Sequence, residues 1–211
     1  MVKLKICGMV REQDIAAVNT VLPDYAGFVF AQSKRRIDGR KAKALKAGLD
    51  PFIKAVGVFV NEDIKNIQEL CSSGVIDLIQ LHGDENEEYI KELKKCTSNK
   101  IIKAVRVRDA QDIKRAAGSL CDYLLLDAYQ DGKYGGIGRT FDWSVIPKLE
   151  KPFFLAGGID SGNIARAIGL YDPYCIDVSS GVETDGYKDP EKISAIAVRI
   201  RRFNSTLFDK K

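Results

Sequence analysis

The sequence has a single histidine, His82, so no site can be assembled from several imidazoles, whether to hold a metal or to relay protons. Cysteine is sparse and scattered. Cys7, Cys71, Cys96, Cys121 and Cys175 are odd in number and never spaced as Cys-X-X-Cys, which argues against a disulfide framework and a zinc site and reads as reduced thiols. No apolar run approaches the roughly 18 residues of a membrane span, and Met1-Val2-Lys3-Leu4-Lys5-Ile6 lacks the apolar core of a secretory signal. The expected compartment is the cytoplasm, with no membrane partner. A dominant charge is missing as well: 33 basic and 29 acidic residues leave +4 with both signs mixed along the chain, so nucleic acid is not an expected partner. What remains is 45% hydrophobic residues with 18 Gly and 6 Pro in 211 positions, a globular composition suited to one domain over 1–211.

Eight short apolar runs recur, at 4–7, 26–30, 53–60, 77–81, 100–105, 123–126, 153–156 and 174–178. Several are apolar almost throughout and too short for helices, which predicts strands buried on both faces, as in a parallel sheet covered by helices. Between them lie stripes with helical spacing: Ile15, Val18 and Val21; Ile64, Ile67 and Leu70; Ile90 and Leu93; and Ile193, Ile196, Ala197 and Ile200. Helix-start residues support this register. Asn61 leads into Glu62 and Asp63, Asp109 precedes 112–117, and Asp160 with Ser161 opens 163–169. Eight strand–helix units in 211 residues fit a minimal (β/α)8 barrel, an α/β fold. An open doubly wound sheet is the alternative, but it often carries an early G-x-G-x-x-G fingerprint, absent after the first run. The longest irregular stretch, Ala128 to Thr140, holds Gly132, Gly135, Gly136 and Gly138 and reads as a mobile loop or a plain surface connection.

In such a barrel the reacting groups sit where strands end. Two of them can move protons: Cys7 after the first strand and Asp127 after the sixth, three steps apart around the ring. That placement suits one base and one acid facing a small ligand. A thiol titrates at about 8.5 and an aspartic acid at about 3.9, so Cys7 suits the base after a modest reduction and Asp127 the acid if burial raises it. The plain alternatives are a small buried hydrophobe for Cys7 and a turn former for Asp127.

The seventh and eighth strands end in Ala156-Gly157-Gly158-Ile159 and Ser179-Ser180-Gly181-Val182. Small residues there leave backbone N–H groups for a phosphate, and the helix opening at Asp160 adds its dipole; ordinary tight turns are the alternative. Ser33-Lys34-Arg35-Arg36 gathers three cations on the same face, suited to a carboxylate or simply solvated. Asp177, inside the eighth run, needs a partner: a ligand group, an arginine or an internal salt bridge. His82, in Gln80-Leu81-His82-Gly83, reads as a ligand contact or a satisfied structural imidazole.

From Lys5 to Glu183 these residues resemble the phosphoribosylanthranilate isomerases of tryptophan biosynthesis. The resemblance rests on Lys5-Ile6-Cys7-Gly8, Gly27-Phe28-Val29-Phe30, Gly57-Val58-Phe59-Val60, Gln80-Leu81-His82-Gly83, Leu125-Leu126-Asp127, Gly135-Gly136-Ile137-Gly138 with Phe141-Asp142-Trp143, Ala156-Gly157-Gly158, and Asp177-Val178-Ser179-Ser180-Gly181-Val182-Glu183. It implies a cofactor-free and metal-free Amadori rearrangement of a phosphorylated small-molecule aminoaldose. In that family the cysteine after the first strand takes the C2' proton and the aspartate after the sixth protonates the ribose ring oxygen, which implies those roles for Cys7 and Asp127. The same resemblance implies phosphate on Gly158, Ser180 and Gly181, and Arg35 and Asp177 around the anthranilate. The loop Ala31-Gln32-Ser33-Lys34-Arg35-Arg36 departs from the Pro-Lys-Ser forms of many relatives, so the arginine lies between Arg35 and Arg36, with alignment on Ser-Lys-Arg selecting Arg35. Two rivals are a histidine-pathway aminoaldose isomerase, whose first strand ends in aspartate, and a silent sensor of a phosphorylated metabolite. Oligomeric state is not encoded in these patterns, which monomeric and dimeric barrels share.

Overall fold

The computed structural model describes residues 1–128 and 140–208, and all eight expected strands are there: β1 (Lys3–Cys7), β2 (Tyr25–Val29), β3 (Lys54–Phe59), β4 (Leu78–Leu81), β5 (Lys100–Val107), β6 (Tyr123–Ala128), β7 (Phe153–Leu155) and β8 (Cys175–Val178). They pair in chain order, every pair parallel, and β8 returns to β1 to close the barrel. The runs are continuously apolar because each strand has two buried faces. Leu124, Leu126, Phe153 and Leu155 belong to the shell between sheet and helices, whereas Leu125, Phe154, Val56, Leu78, Ile102 and Cys175 fill the barrel's interior.

Because successive side chains on a strand point to opposite faces, this alternation fixes where the polar residues go. Leu4 and Ile6 face the outer shell, so Lys5 and Cys7 face inward. Counting two residues on from Leu78, Leu125 and Cys175 places Gln80, Asp127 and Asp177 inward as well. The candidate residues thus share the interior face at the strands' C-terminal ends.

Seven helices are described: α1 (Glu12–Val21), α2 (Gly39–Ala47), α3 (Ile64–Ser72), α4 (Glu87–Cys96), α5 (Ala110–Ala117), α6 (Ile164–Tyr171) and α7 (Pro190–Phe208). The expected eighth unit is incomplete among the described residues: between β6 and β7 they hold one 3-10 turn, Trp143–Val145. The glycine-rich loop expected there, including Gly132, Gly135, Gly136 and Gly138, lies outside the described residues. After β8 a 3-10 turn (Ser180–Val182) leads into a two-stranded hairpin, β9 (Glu183–Thr184) and β10 (Tyr187–Lys188).

Side-chain caps start two of the expected helices: Asp109 accepts from the Gln111 and Asp112 N–H groups and Asp63 from Lys65, whereas Asp160 accepts from Gly162 and Asn163 in the turn before α6, whose cap position, Asn163, makes no side-chain capping bond. Asn61 is not a cap: it sits in the left-handed region and its side-chain oxygen accepts from Asp84 N–H in the next loop. Near the end of α7, Asn204 grips Val2 through both backbone groups, accepting from its N–H at 2.8 Å and donating to its carbonyl at 2.9 Å. Among the described residues no helix is long and apolar enough to cross a membrane.

Candidate active site

Cys7 ends β1 and is buried, and it packs so closely on β2 that a Cβ at Gly27 would lie 2.7 Å from its sulfur. Lys5, fully buried one interior position earlier on β1, forms an ion pair of 2.9 Å with Asp177 on β8. Asp177 therefore does need a partner, and the partner is a lysine inside the barrel rather than an arginine. Its other oxygen, Oδ1, is buried with no hydrogen-bond partner among the described residues. The reduction expected of a base at Cys7 is not found: burial pushes the thiol up, and Asp177 adds to this, while Lys5 and Lys188 work against it by favouring the thiolate. For Lys5 burial alone would lower the ammonium, but Asp177 and Cys7 outweigh it and hold the lysine above its ordinary range.

A second layer of charge lies beside the thiol. Arg35 crosses over Gly8, whose positive φ of 92° and missing Cβ leave room for the arginine's methylenes. Its guanidinium makes a bidentate pair with Glu183 on β9, at 2.7 Å from Nε and 2.6 Å from Nη2. Lys188 on β10 completes the cluster, donating to Glu183 at 2.6 Å and to the Ser179 carbonyl at 3.0 Å. Ser179 in turn donates to the Cys7 carbonyl at 3.0 Å, which ties the end of β8 to the end of β1. Burial opposes ionisation of Glu183, yet Arg35 and Lys188 outweigh it and hold the carboxyl below its usual range. For Lys188 burial wins and the ammonium is held low despite Glu183. Of the two candidate arginines, Arg35 is the one at the thiol; Arg36 is exposed and bonds Gln32.

Across the rim, Asp127, next to last in β6, has its carboxyl buried. Oδ1 accepts the Ala128 N–H at 2.8 Å, and Oδ2 lies 3.3 Å from His82 Nε2. That approach is close but not aligned as a hydrogen bond. Gly157, at φ 81°, packs on the same group: a Cβ there would sit 3.0 Å from Asp127 Oδ1 and 2.9 Å from the Ala128 nitrogen. The turn after His82 is held by Glu85, which accepts from Gly83 and Asn61 N–H groups and pairs with Lys103 at 2.7 Å.

Between these groups lie the two small-residue turns. Gly158 also takes a positive φ, 62°, and Asn163 donates to its carbonyl at 2.8 Å, so α6 is fastened to this turn. Gly181 rests directly on the Ile159 carbonyl, where any Cβ would collide, so the β7 and β8 turns are one unit. Among the described residues the N–H groups of Gly158, Ser180 and Gly181 donate to no protein acceptor. Such unpaired N–H groups at a turn form an anion-binding surface.

Lys5, Lys188 and Glu183 carry no local sequence signal of a role at the site. A lysine alternating with apolar residues looks like a solvent-facing position, and only the pairing of β1 with β8, 172 residues apart, shows that it faces Asp177. The signal available was mutual: two opposite charges, each embedded in a run otherwise buried on both faces.

Comparisons with known proteins agree with the barrel fold. The family model for N-(5'phosphoribosyl)anthranilate (PRA) isomerase matches residues 4–198. An N-(5'-phosphoribosyl)anthranilate isomerase of Endomicrobium trichonymphae is 50% identical over 193 residues, spanning 92% of this chain and 95% of the relative. The crystal structure of phosphoribosyl anthranilate isomerase from Thermus thermophilus superposes with a TM-score of 0.83 at 28% identity, covering 96% of this chain and all of that one. A solved phosphoribosyl anthranilate isomerase in complex with reduced 1-(o-carboxyphenylamino)-1-deoxyribulose 5-phosphate is similar too, with a TM-score of 0.77, 32% identity, and coverage of 93% and 97%. The chain belongs to the phosphoribosylanthranilate isomerase family.

Proposed function

We propose that this isomerase converts N-(5-phosphoribosyl)anthranilate to 1-(2-carboxyphenylamino)-1-deoxyribulose 5-phosphate in the cytoplasm, with Cys7 as general base and Asp127 as general acid. The carrying observation is the strand alternation that turns both side chains inward at one rim of a closed barrel. Asp127 protonates the ribose ring oxygen, the C1'–O bond breaks, and the nitrogen lone pair forms the C1'=N bond. The Cys7 thiolate then removes the C2' proton, giving an enolamine that tautomerises to the aminoketone. Oxidation at C2' balances reduction at C1', so no external redox partner or metal is required.

The remaining residues suit the rest of the substrate. The N–H groups of Gly158, Ser180 and Gly181 are suited to the phosphate, the shape of their turns depends on Gly157, and the α6 dipole adds attraction. Phosphate binding remote from the bond changes helps to hold the pentose between base and acid. Arg35 spends two of its five N–H donors on Glu183, and the others suit the anthranilate carboxylate. Asp177 Oδ1 and His82 complete the wall around the aromatic amine. That the similar bound relative holds a reduced form of the product named here supports the same ligand class.

The test is turnover of phosphoribosylanthranilate in the presence of a chelator, with the histidine-pathway aminoaldose in parallel. Conversion of the first substrate alone is expected. Binding without conversion would replace this reading with that of a metabolite sensor, and turnover of the second substrate would show that Cys7 does not set substrate choice.

A further inference from the structure

Gln80, next to last in β4, is 1% exposed and lies beside His82. Gln80 Nε2 stands 2.8 Å from His82 Nδ1. With the amide turned this way, leaving Oε1 unpaired among the described residues, its NH2 group donates and Nδ1 accepts, and a neutral imidazole then carries its proton on Nε2. That nitrogen is the one 3.3 Å from Asp127 Oδ2. The opposite Asp127 oxygen is already engaged by the Ala128 N–H, and Gly157 closes on the same side. His82 Nε2 is itself buried and makes no aligned hydrogen bond, so an N–H donor is poised at the free oxygen without being committed to it.

We infer that Gln80 is a positioning residue: its amide selects the Nε2–H tautomer of His82, and that N–H is held ready for the negative charge that appears on Asp127 when it gives up its proton. The inference rests on the reading of Asp127 as the acid. Proton accounting is simple. The proton on the ring oxygen comes from Asp127, His82 stays neutral throughout, and its N–H strengthens its bond to Oδ2 as the carboxylate forms. A donor that tightens only as charge develops lowers the barrier rather than the binding energy, so it belongs to kcat.

Because His82 is the only histidine, a uniformly 15N-labelled sample gives one imidazole, whose tautomer is read without assignment. At about pH 8.5 the wild type should show the Nε2–H form. Gln80→Glu presents acceptors only and should reverse the tautomer to Nδ1–H, whereas Gln80→Met, of similar shape, should leave a mixture. Both should lower kcat by about tenfold or more, the equivalent of about 1.4 kcal/mol, with KM within about twofold. A wild-type spectrum of the Nδ1–H form would overturn the inference even if neither variant folds. So would a Gln80→Glu spectrum like the wild type, or an unchanged kcat in Gln80→Met with the tautomer shifted. Asp127→Asn separates the two readings: if that variant keeps its kcat, the acid assignment fails while the tautomer result still stands or falls alone.

Discussion

Replacing Lys5 by methionine tests how the barrel interior tolerates charge. The lysine is fully buried and is, among the described residues, the one partner of Asp177, at 2.9 Å, since Oδ1 has none there. Lys5→Met therefore strands a carboxylate that keeps neither contact, and removing one member of a buried pair costs about 3–5 kcal/mol. In a chain of this size each kcal/mol lowers Tm by about 2–4 °C, so the melting point should fall by roughly 6–20 °C. Lys5→Met with Asp177→Asn removes both charges and should recover most of the loss, giving a coupling of at least about 2 kcal/mol in a double-mutant cycle measured by urea unfolding. There is a catalytic consequence as well. Lys5 opposes the rise of the Cys7 thiol and Asp177 adds to it, so Lys5→Met should need higher pH for the same kcat/KM, and the double mutant, which loses both influences, should regain stability and undo part of that pH shift. A single mutant destabilised by less than about 1 kcal/mol, or strictly additive effects, would refute the view of this pair as mutually dependent.

Four other outcomes are expected. Asp127→Asn and Cys7→Ala should each lower kcat by about 10² or more while ligand affinity is retained, measured by steady-state kinetics and product titration. Because burial raises the Cys7 thiol, its alkylation by iodoacetamide, followed by peptide mass spectrometry, should be slow at neutral pH and accelerate as pH rises; fast reaction at pH 6 would contradict this. Gly181→Ala drives a methyl into the Ile159 carbonyl, so one turn must move, with an expected cost of about 1–3 kcal/mol and a raised KM for the phosphorylated substrate. Glu183 is held below its usual carboxyl range, so its contribution is complete above the unfolded value and is lost as pH falls through the lower folded one. Thermal melts between pH 6 and 3 should therefore show an acid-side fall in Tm that Glu183→Gln reduces.

The barrel was legible because parallel strands buried on both faces leave nearly unbroken apolar runs, and each of the eight runs overlaps an observed strand. Helix α2 was not, since only Ala42 and Leu45 of its nine residues are buried and its surface is dense in Lys and Arg. Cys7 and Asp127 could be found by their positions at strand ends. The charges around Cys7 could not, because Arg35 meets Glu183 and Lys5 meets Asp177 across 148 and 172 residues of chain. Local pattern carries no record of such pairings. The phosphate turns lie between these cases: glycine at 157, 158 and 181 marked them, but the contact of Gly181 on Ile159 that joins them needed coordinates.

The grip of Asn204 on Val2 has a use beyond holding a strand end in place. Those two hydrogen bonds bring the first strand's start and the last helix's end together at the N-terminal mouth, away from the thiol and the carboxyl. A short peptide bridging the backbone at Val2 and Asn204 would therefore span little distance, and new ends could be cut into a connection on that same side, such as the one between α4 and β5. Circular permutants of this kind should keep the reacting rim intact, and the order in which their strands are synthesised becomes a variable that can be set at will.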